Sequence, residues 1–109
     1  MSTEYQLYVD GEWIEGRSGE RFAAINPYLQ EPWATIPQAT DDDVRGAIAA
    51  ARRAFETVWR GTNGLERYRL LTRLAELMEA NAERMSVLES TDNGKVVRET
   101  RNQMAFAGR

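Results

Sequence analysis

Near the end of this 109-residue chain stands the sequence Glu89-Ser90-Thr91-Asp92-Asn93-Gly94-Lys95. Its aspartate, asparagine and glycine favour turns and left-handed backbone over continued helix, so we expect the preceding helix to stop at Gly94. A turn is predicted over residues 91–95, with a helix over 64–90 before it and another over 96–109 after it. Taken alone, Asp92 is explained by this helix stop, although a short acid on such a loop can also bind a cation.

The helix predicted over 64–90 begins with a cap and carries a long apolar stripe. Asn63 can accept a hydrogen bond from the first helical turn, and Glu66 stands where a capping box needs its acid. Apolar residues then recur at spacings of three and four. They are Leu70, Leu71, Leu74, Leu77, Met78, Met85 and Leu88. We expect one uninterrupted helix with one face suited to burial.

An earlier helix is predicted over residues 40–60. Thr40 fits the N-cap, Asp43 completes a capping box, and Gly61 ends the element. The apolar stripe consists of Val44, Ala47, Ile48, Ala51, Phe55 and Val58. Gly46, inside this helix, is expected to cost roughly 1 kcal/mol relative to alanine.

Two β-hairpins are predicted over residues 5–37. Asp10 and Gly11 accept the positive φ angles of a tight hairpin turn, and short β runs lie on both sides of them. A second pair of strands is predicted over 21–25 and 33–36. The chain is therefore predicted to be one α+β segment, with two N-terminal hairpins followed by two long helices and a third, cut-off helix.

Composition indicates an ordinary globular segment of residues 1–109. Apolar residues make up 42% and charged residues 28%, and the net charge of −3 comes from interspersed charges, so no surface suits nucleic acid or an anionic membrane. The chain contains no cysteine and no histidine, which removes the usual thiol nucleophile, neutral-pH base and zinc ligands. With no signal sequence at its start, we expect a cytoplasmic protein that binds neither nucleic acid nor membrane.

The acidic residues have plain structural explanations. The run Asp41 to Asp43 fits helix capping and the helix dipole better than a metal cluster. Glu79 and Glu83 lie one helical turn apart and could form an acid–base pair, but we expect a solvated face and assign them no role.

The arginines and tryptophans likewise favour structural roles. Arg67, Arg69 and Arg73 crowd the start of a helix, where a phosphate site would also need exposed backbone N–H groups and glycines, so structural ion pairing is expected. The tryptophans are Trp13, Trp33 and Trp59. Each falls on an apolar stripe of a strand or helix, which favours core packing over stacking on bases or sugars.

Five motifs in this order resemble the amino-terminal portion of the aldehyde dehydrogenase superfamily. They are Val9-Asp10-Gly11-Glu12-Trp13, Ile25-Asn26-Pro27, Ala47-Ile48-Ala49-Ala50-Ala51-Arg52-Arg53-Ala54-Phe55 with Trp59, Glu66-Arg67-Tyr68-Arg69-Leu70-Leu71, and Asp92-Asn93-Gly94-Lys95. The resemblance runs from about residue 5 to the end and is closest in the two helices and the turn. One departure follows Asn-Pro: the family commonly has a small residue and Thr-Gly-Glu there, whereas this chain has Tyr28-Leu29-Gln30-Glu31-Pro32.

This resemblance implies a small part of a larger α/β enzyme. Family members oxidise an aldehyde to a carboxylic acid with a cysteine thiolate, a glutamate-activated water and NAD or NADP, and they form oligomers. Those catalytic and cofactor-binding residues lie downstream in the family, so none is carried over to this chain, which belongs to the cofactor-domain side. The resemblance also implies a structural monovalent cation, held by the backbone carbonyls of Ala24 and Ile25 and by Asp92.

The resulting hypothesis is an N-terminal segment of an NAD(P)-dependent aldehyde dehydrogenase that is inactive alone. It binds no cofactor by itself, has the rest of the dehydrogenase chain as its partner, and exposes an apolar patch. The alternatives are a stand-alone helical interaction module, which would bind a partner through the stripe of Leu70, Leu74, Leu77 and Met78, and an assembly partner of dehydrogenase subunits.

Overall fold

The computed structural model describes residues 3–107. The strands are β1 (Thr3–Glu4), β2 (Leu7–Val9), β3 (Glu12–Ile14), β4 (Arg21–Asn26) and β5 (Glu31–Pro37). The helices are α1 (Asp41–Thr57), α2 (Gly64–Ala80), α3 (Ala82–Asn93) and α4 (Val97–Ala107), with a 3-10 turn at Trp59–Gly61. These elements fall into two compact units, one of residues 3–25 and 32–62 and the other of 26–31 and 63–107.

The first hairpin of the sheet unit forms as predicted. Strands β2 and β3 pair antiparallel around a two-residue turn in which Asp10 has φ 55° and Gly11 has φ 85°. Two consecutive left-handed residues match the right-handed twist of the flanking strands, which is why Asp-Gly is favoured here. The register places Tyr8 opposite Trp13, and their ring centroids lie 4.8 Å apart. This aromatic pair therefore stabilises the hairpin from its exposed face.

The second sheet has the order β1-β5-β4, with β1 parallel to β5. The short connection between β4 and β5 can join only antiparallel strands. Arg21 links the edges of this sheet: its Nη2 donates to the carbonyls of Tyr5 at 2.6 Å and Thr35 at 3.1 Å, and its Nη1 pairs with Glu15. One guanidinium thus connects the residues that follow β1 and β3 to strand β5.

Helix α1 begins with the predicted capping box. Thr40 Oγ1 accepts from the Asp43 N–H at 3.2 Å, and Asp43 Oδ2 accepts from the Thr40 N–H at 2.9 Å. The same carboxylate accepts from the Arg17 N–H at 3.1 Å, and its Oδ1 lies 3.2 Å from Arg17 Nε. These hydrogen bonds, chiefly the one from the Thr40 backbone, hold the pKa of the buried Asp43 carboxyl below its ordinary value. The structural explanation of the acidic run is confirmed for Asp43.

The single helix predicted over 64–90 is wrong, because Asn81 divides it into α2 and α3. The capping box of Asn63 and Glu66 at its start is confirmed. Asn81 has φ −109° and ψ 8°, and its Nδ2 donates to the carbonyl of Leu77 at 2.8 Å. Asparagine side chains compete in this way with backbone donors for helical carbonyls, which explains the break at Asn81. The apolar residues keep their helical spacing across the break, so the spacing alone predicts one continuous helix.

The end of α3 and the start of α4 also differ from the predicted boundaries. Helix α3 continues to Asn93 rather than stopping at residue 90, so most of the predicted turn over 91–95 is helical until Gly94. Helix α4 begins at Val97, since the Val96 carbonyl accepts from the N–H of Glu99 at 2.8 Å. It is described to Ala107, and the last two residues of the predicted 96–109 helix lie outside the described part of the chain.

Helices α3 and α4 pack through buried hydroxyls. Thr100 is 0% exposed, and its Oγ1 donates toward the Ser86 carbonyl at 3.1 Å and lies 3.0 Å from Ser90 Oγ. At the surface, Arg101 Nε donates to Glu83 at 2.7 Å and its Nη2 makes a second bond. This bidentate bond lowers the pKa of the Glu83 carboxyl, so Glu83 is ion-paired rather than merely solvated.

Few apolar side chains are buried between residues 3 and 107. Ala34, Ala50 and Pro37 are buried, whereas the predicted stripes are exposed: Ile48 is 63% exposed and Leu71 59%. The prediction of an exposed apolar patch is confirmed, and core packing is wrong for Trp13, which is 65% exposed. None of the helices in the described range combines the length and apolar character needed to cross a membrane.

The Asp43 carboxylate should make stability depend on acid pH. Because its pKa is lowered in the folded state, its stabilisation is complete above the ordinary carboxyl pKa and is lost as pH falls through the lowered value. Asp43→Asn should therefore unfold at lower urea concentration at neutral pH, and the difference from wild type should shrink on acidification. Asp42→Asn is the control on the exposed side of the same turn, and a difference that stays constant with pH would contradict the prediction.

The Thr100 hydroxyl should contribute to the packing of α3 on α4. Thr100→Val keeps the shape but removes the buried hydroxyl that bonds to the Ser86 and Val97 carbonyls and to Ser90 Oγ, which should cost about 1 kcal/mol or more of unfolding free energy. Thr91→Val, at an exposed helical hydroxyl, should change it by less than about 0.5 kcal/mol. Urea unfolding of both variants compares them, and equal losses would disprove a special role for Thr100.

Candidate functional site

The turn that follows α3 is built around Gly94. Its φ of 77° is left-handed, and its N–H donates to the Ser90 carbonyl at 3.0 Å, which closes the last turn of the helix. A Cβ at this position would lie 2.9 Å from Pro27 Cγ. Both the backbone angle and the close approach of Pro27 therefore require glycine.

The segment facing Gly94 is a compact turn over residues 26–31. Asn26 Oδ1 accepts from the N–H groups of Tyr28 at 2.9 Å and Leu29 at 3.1 Å, and the Asn26 carbonyl accepts from Gln30 at 2.8 Å. Gln30 takes the left-handed position, with φ 57°. The departure from the family pattern after Pro27 is thus accommodated by an Asn-centred turn, in which the side chain replaces a missing backbone acceptor.

The charged side chains of Glu89 and Lys95, on either side of the Gly94 turn, pair with each other. Lys95 Nζ donates to Glu89 Oε1 at 2.8 Å, and the same oxygen accepts from Asn93 Nδ2 at 3.3 Å. The Lys95 bond is the main reason that the pKa of the Glu89 carboxyl lies below its ordinary value. The Lys95 N–H in turn donates to Asn93 Oδ1 at 2.9 Å. Glu89 therefore stays ionised and acts as a structural anion rather than as a proton donor.

A shallow groove of about 310 Å³ opens between these two turns. Its lining consists of Asn26, Tyr28, Val87, Ser90, Thr91, Gly94, Lys95 and Val97. The hydroxyl of Ser90 contacts Thr100, and the Thr91 hydroxyl donates to the Val87 carbonyl at 2.8 Å. The lining contains no histidine, cysteine or carboxylate, and the Ser90 and Thr91 hydroxyls and the Lys95 ammonium are each hydrogen-bonded within the fold.

The sheet unit has a depression of its own, of about 370 Å³. It lies between the first hairpin and α1 and is lined by Tyr8, Val9, Asp10, Gly11, Ala47, Ala50, Ala51 and Ala54. Asp10 Oδ2 pairs with Arg53 Nη2 at 2.7 Å at its border. Small alanine side chains let the hairpin approach the helix, which explains this depression as a packing feature.

The predicted cation ligands stand in different parts of the fold. Ala24, half-buried, and Ile25, 48% exposed, are neighbours on β4 in the sheet unit. Asp92 is exposed in the last turn of α3 and belongs to the helical unit. Among residues 3–107, no three His, Cys, Asp or Glu side chains cluster as metal ligands do. The cation site therefore stays a prediction.

Sequence reasoning missed two residues that organise these regions. Asn26 was recognised only as part of a motif, although an asparagine before proline is a known signal for a side-chain-closed turn. Thr100 has no signal in the sequence, because nothing local shows that its hydroxyl is buried against α3. Pairing of the arginine cluster is confirmed for Arg73, which lies 3.1 Å from Glu76.

Comparison with known proteins shows to which family these turns and helices belong. A sequence model described as the aldehyde dehydrogenase family matches residues 13–108. The chain belongs to the aldehyde dehydrogenase family. The resemblance carried by the five motifs is thereby confirmed, and the observed α+β arrangement is a segment of an aldehyde dehydrogenase fold.

The similar proteins are dehydrogenases from several organisms. The chain is 41% identical over 104 residues to a (Z)-2-((N-methylformamido)methylene)-5-hydroxybutyrolactone dehydrogenase of Acinetobacter baylyi, covering 94% of this chain and 21% of that protein. It is 40% identical to a betaine aldehyde dehydrogenase of Bacillus subtilis, with 90% and 20% covered. A crystal structure of an NAD-dependent aldehyde dehydrogenase from Sinorhizobium meliloti superposes with a TM-score of 0.94 at 35% identity, covering 99% of this chain and 22% of that one.

This chain is much shorter than the relatives to which it is similar. This aldehyde dehydrogenase chain spans about a fifth of the relatives that it matches, yet almost all of it is matched. Its strands and helices therefore correspond to one continuous portion of much longer proteins.

Two glycines offer a matched test of the turn. Gly94→Ala should lower the free energy of unfolding by about 2 kcal/mol, since alanine is strained at positive φ and its methyl would meet Pro27. Gly46→Ala should raise it by about 0.5–1 kcal/mol, because Gly46 lies inside α1 with open space around it. Urea unfolding measures both, and two changes of the same sign would refute the assigned role of Gly94.

Proposed function

We propose that this chain is the N-terminal portion of an NAD(P)-dependent aldehyde dehydrogenase that oxidises an aldehyde to a carboxylic acid, and that the chain is inactive alone. The observation that carries the proposal is the match of 94% of this chain to only 21% of a dehydrogenase. A chain of 109 residues without cysteine cannot supply the thiolate on which the family's chemistry rests. The catalytic and cofactor-binding groups are therefore assigned to the remainder of the enzyme.

The exposed apolar faces support this assignment. In the helical unit, Leu70, Leu74 and Leu77 lie on one side of α2 and are 45–57% exposed. In the sheet unit, Val44 and Ile48 follow one another along α1 and are 49% and 63% exposed. Apolar surface on this scale is unusual for a free monomer, because its burial is the main source of folding stability. We assign these faces to contacts with the rest of a dehydrogenase chain.

The finer features follow from the same assignment. NAD or NADP is the cofactor of the complete enzyme, which is a homo-oligomer in the cytoplasm. A monovalent cation held by the carbonyls of Ala24 and Ile25 and by Asp92 is part of the proposal, since oxygen ligands suit a hard cation. Three protein ligands leave further positions for water or for other parts of the enzyme.

A second candidate rests on the same leucines. A stand-alone interaction module, or an assembly partner of dehydrogenase subunits, would use the exposed row of Leu70, Leu74 and Leu77 to bind a helix or groove. It differs from the first candidate in its mass in the cell and in its partner.

The native mass separates the two candidates. The protein purified from its source should be several times larger than the 12.4 kDa of this chain, with a downstream reading frame that encodes a cysteine and a nucleotide-binding fold. A native protein of 12.4 kDa that melts cooperatively as a monomer would reject the enzyme portion and support the interaction module.

An activity test uses the leucine row. The longer enzyme should reduce NAD(P)⁺ with an aldehyde, whereas the 109-residue chain should not. Leu74→Asn in the longer enzyme should lower the yield of folded, active protein, because it places an amide in a buried apolar contact. Glu79→Gln on the same helix is the control and should leave the yield unchanged. An equal yield from both variants would show that the leucine row is not covered in the enzyme.

A further inference from the structure

The chain contains two Asn-Gly pairs, and the fold places them at opposite ends of helices. Asn63-Gly64 begins α2, and Asn93-Gly94 ends α3. Asn-Gly is the dipeptide most prone to spontaneous deamidation, because glycine leaves the following backbone nitrogen unobstructed. All four residues are exposed, so solvent access alone does not distinguish the two pairs.

The backbone nitrogen that would react is held in one pair and free in the other. The Gly94 N–H donates to the Ser90 carbonyl at 3.0 Å as part of the helical end. Gly64 is the first residue of α2, where an N–H has no intrahelical acceptor, and within residues 3–107 this N–H meets no other acceptor. Attack by Gly94 therefore requires a hydrogen bond to break first, whereas attack by Gly64 does not.

The asparagine side chains differ in the same direction. Asn93 is held at both ends, since Oδ1 accepts from the Lys95 N–H at 2.9 Å and Nδ2 donates to Glu89 at 3.3 Å. Asn63 Oδ1 accepts one bond, from the Glu66 N–H at 3.0 Å. Within residues 3–107 the Asn63 Nδ2 donates to no group, so this side chain is held at one end whereas that of Asn93 is held at both.

Packing and the helix dipole add to the difference. Gly94 lies against Pro27, so rotation of the Asn93–Gly94 peptide meets a neighbour, whereas the space around Gly64 is open to 4 Å. The positive end of α2 stabilises a deprotonated nitrogen at Gly64, and the negative end of α3 disfavours one at Gly94.

From these contrasts we propose that Asn63 is a deamidation site of this chain and that the fold protects Asn93. The Gly64 nitrogen loses its proton and attacks Asn63 Cγ, a new C–N bond closes a five-membered imide, and the side-chain amide nitrogen leaves as ammonia. Water then adds to one of the two imide carbonyls and opens the ring to aspartate or isoaspartate. No co-reactant other than water is required.

The two products affect α2 differently. Aspartate at residue 63 still accepts the Glu66 N–H and places a negative charge at the positive end of the helix, so the cap survives. Isoaspartate routes the main chain through the side-chain carbons and leaves a carboxylate on the backbone carbon, so the capping box with Glu66 is lost. Ageing of Asn63 thus yields one population with an intact α2 start and one with a loosened start.

Trypsin separates the two sites cleanly. Cleavage after Arg60 and Arg67 releases residues 61–67, in which Asn63 is the sole asparagine, and cleavage after Arg84 and Lys95 releases residues 85–95, in which Asn93 is the sole asparagine. The protein as purified from its source, with its helical circular dichroism recorded first as proof of folding, is incubated in mildly alkaline native buffer made with heavy-oxygen water and then digested. Mass spectrometry follows the label and the loss of ammonia in each peptide over time.

In native buffer, peptide 61–67 should convert about tenfold faster than peptide 85–95. A hydrogen bond that must open before the attack slows the reaction by about that factor. In denaturant the two peptides should convert at similar rates, because the fold no longer protects Asn93. Gly64→Ala is the matched variant: its methyl hinders ring closure and has open space in the fold, so only 61–67 should slow. Equal rates in native buffer, faster conversion of 85–95, or an unchanged 61–67 rate in Gly64→Ala would each overturn the proposal.

Discussion

The helical unit depends on one reversal of the backbone, at Gly94. Its left-handed φ of 77° ends α3 with the N–H still bonded to Ser90, and Val97 then begins α4 three residues later. This short interval brings Thr100 back beside Ser86, where its hydroxyl is fully buried. Because a side chain at residue 94 would strike Pro27, the same glycine also lets the Asn26 turn approach. One residue without a Cβ therefore permits three separate contacts.

Buried hydroxyls and caps, rather than a large apolar core, define the local structure. The buried apolar residues of the described range are small, as Ala34, Ala50 and Pro37 are, and large residues such as Ile48 and Leu71 are exposed to solvent. A capping hydrogen bond contributes about 1 kcal/mol, and burial of a leucine or isoleucine contributes about 1.5–3 kcal/mol. The caps thus specify where the helices begin, while exposed side chains such as Ile48 and Leu71 contribute only part of the stabilisation that their full burial would give.

The features predicted correctly from the sequence are those whose cause is local. The capping boxes at Thr40 and Asn63 and the Asp10-Gly11 turn follow from side chains that bond their own neighbours, so the sequence contains their whole explanation. Asn81 is also local, but the apolar period across it suggested a continuous helix. Burial could not be predicted, because an apolar stripe shows which face prefers to be covered and not what covers it. The role of Thr100 depends on contact with another helix and has no local signal.

The use of polar groups in this segment is consistent with a scaffold rather than a reaction centre. Catalytic acids and bases need a pKa near the working pH and access to a substrate. Here the carboxyls with displaced pKa values, such as Asp43 and Glu89, are displaced downward by hydrogen bonds from their own fold, which keeps them ionised and occupied. Thr100 and Asn26 likewise satisfy backbone groups. Residues of the family motifs, such as Asn26 and Gly94, therefore have structural explanations, because a side-chain-closed turn and a left-handed backbone angle restrict which residues can occupy these positions.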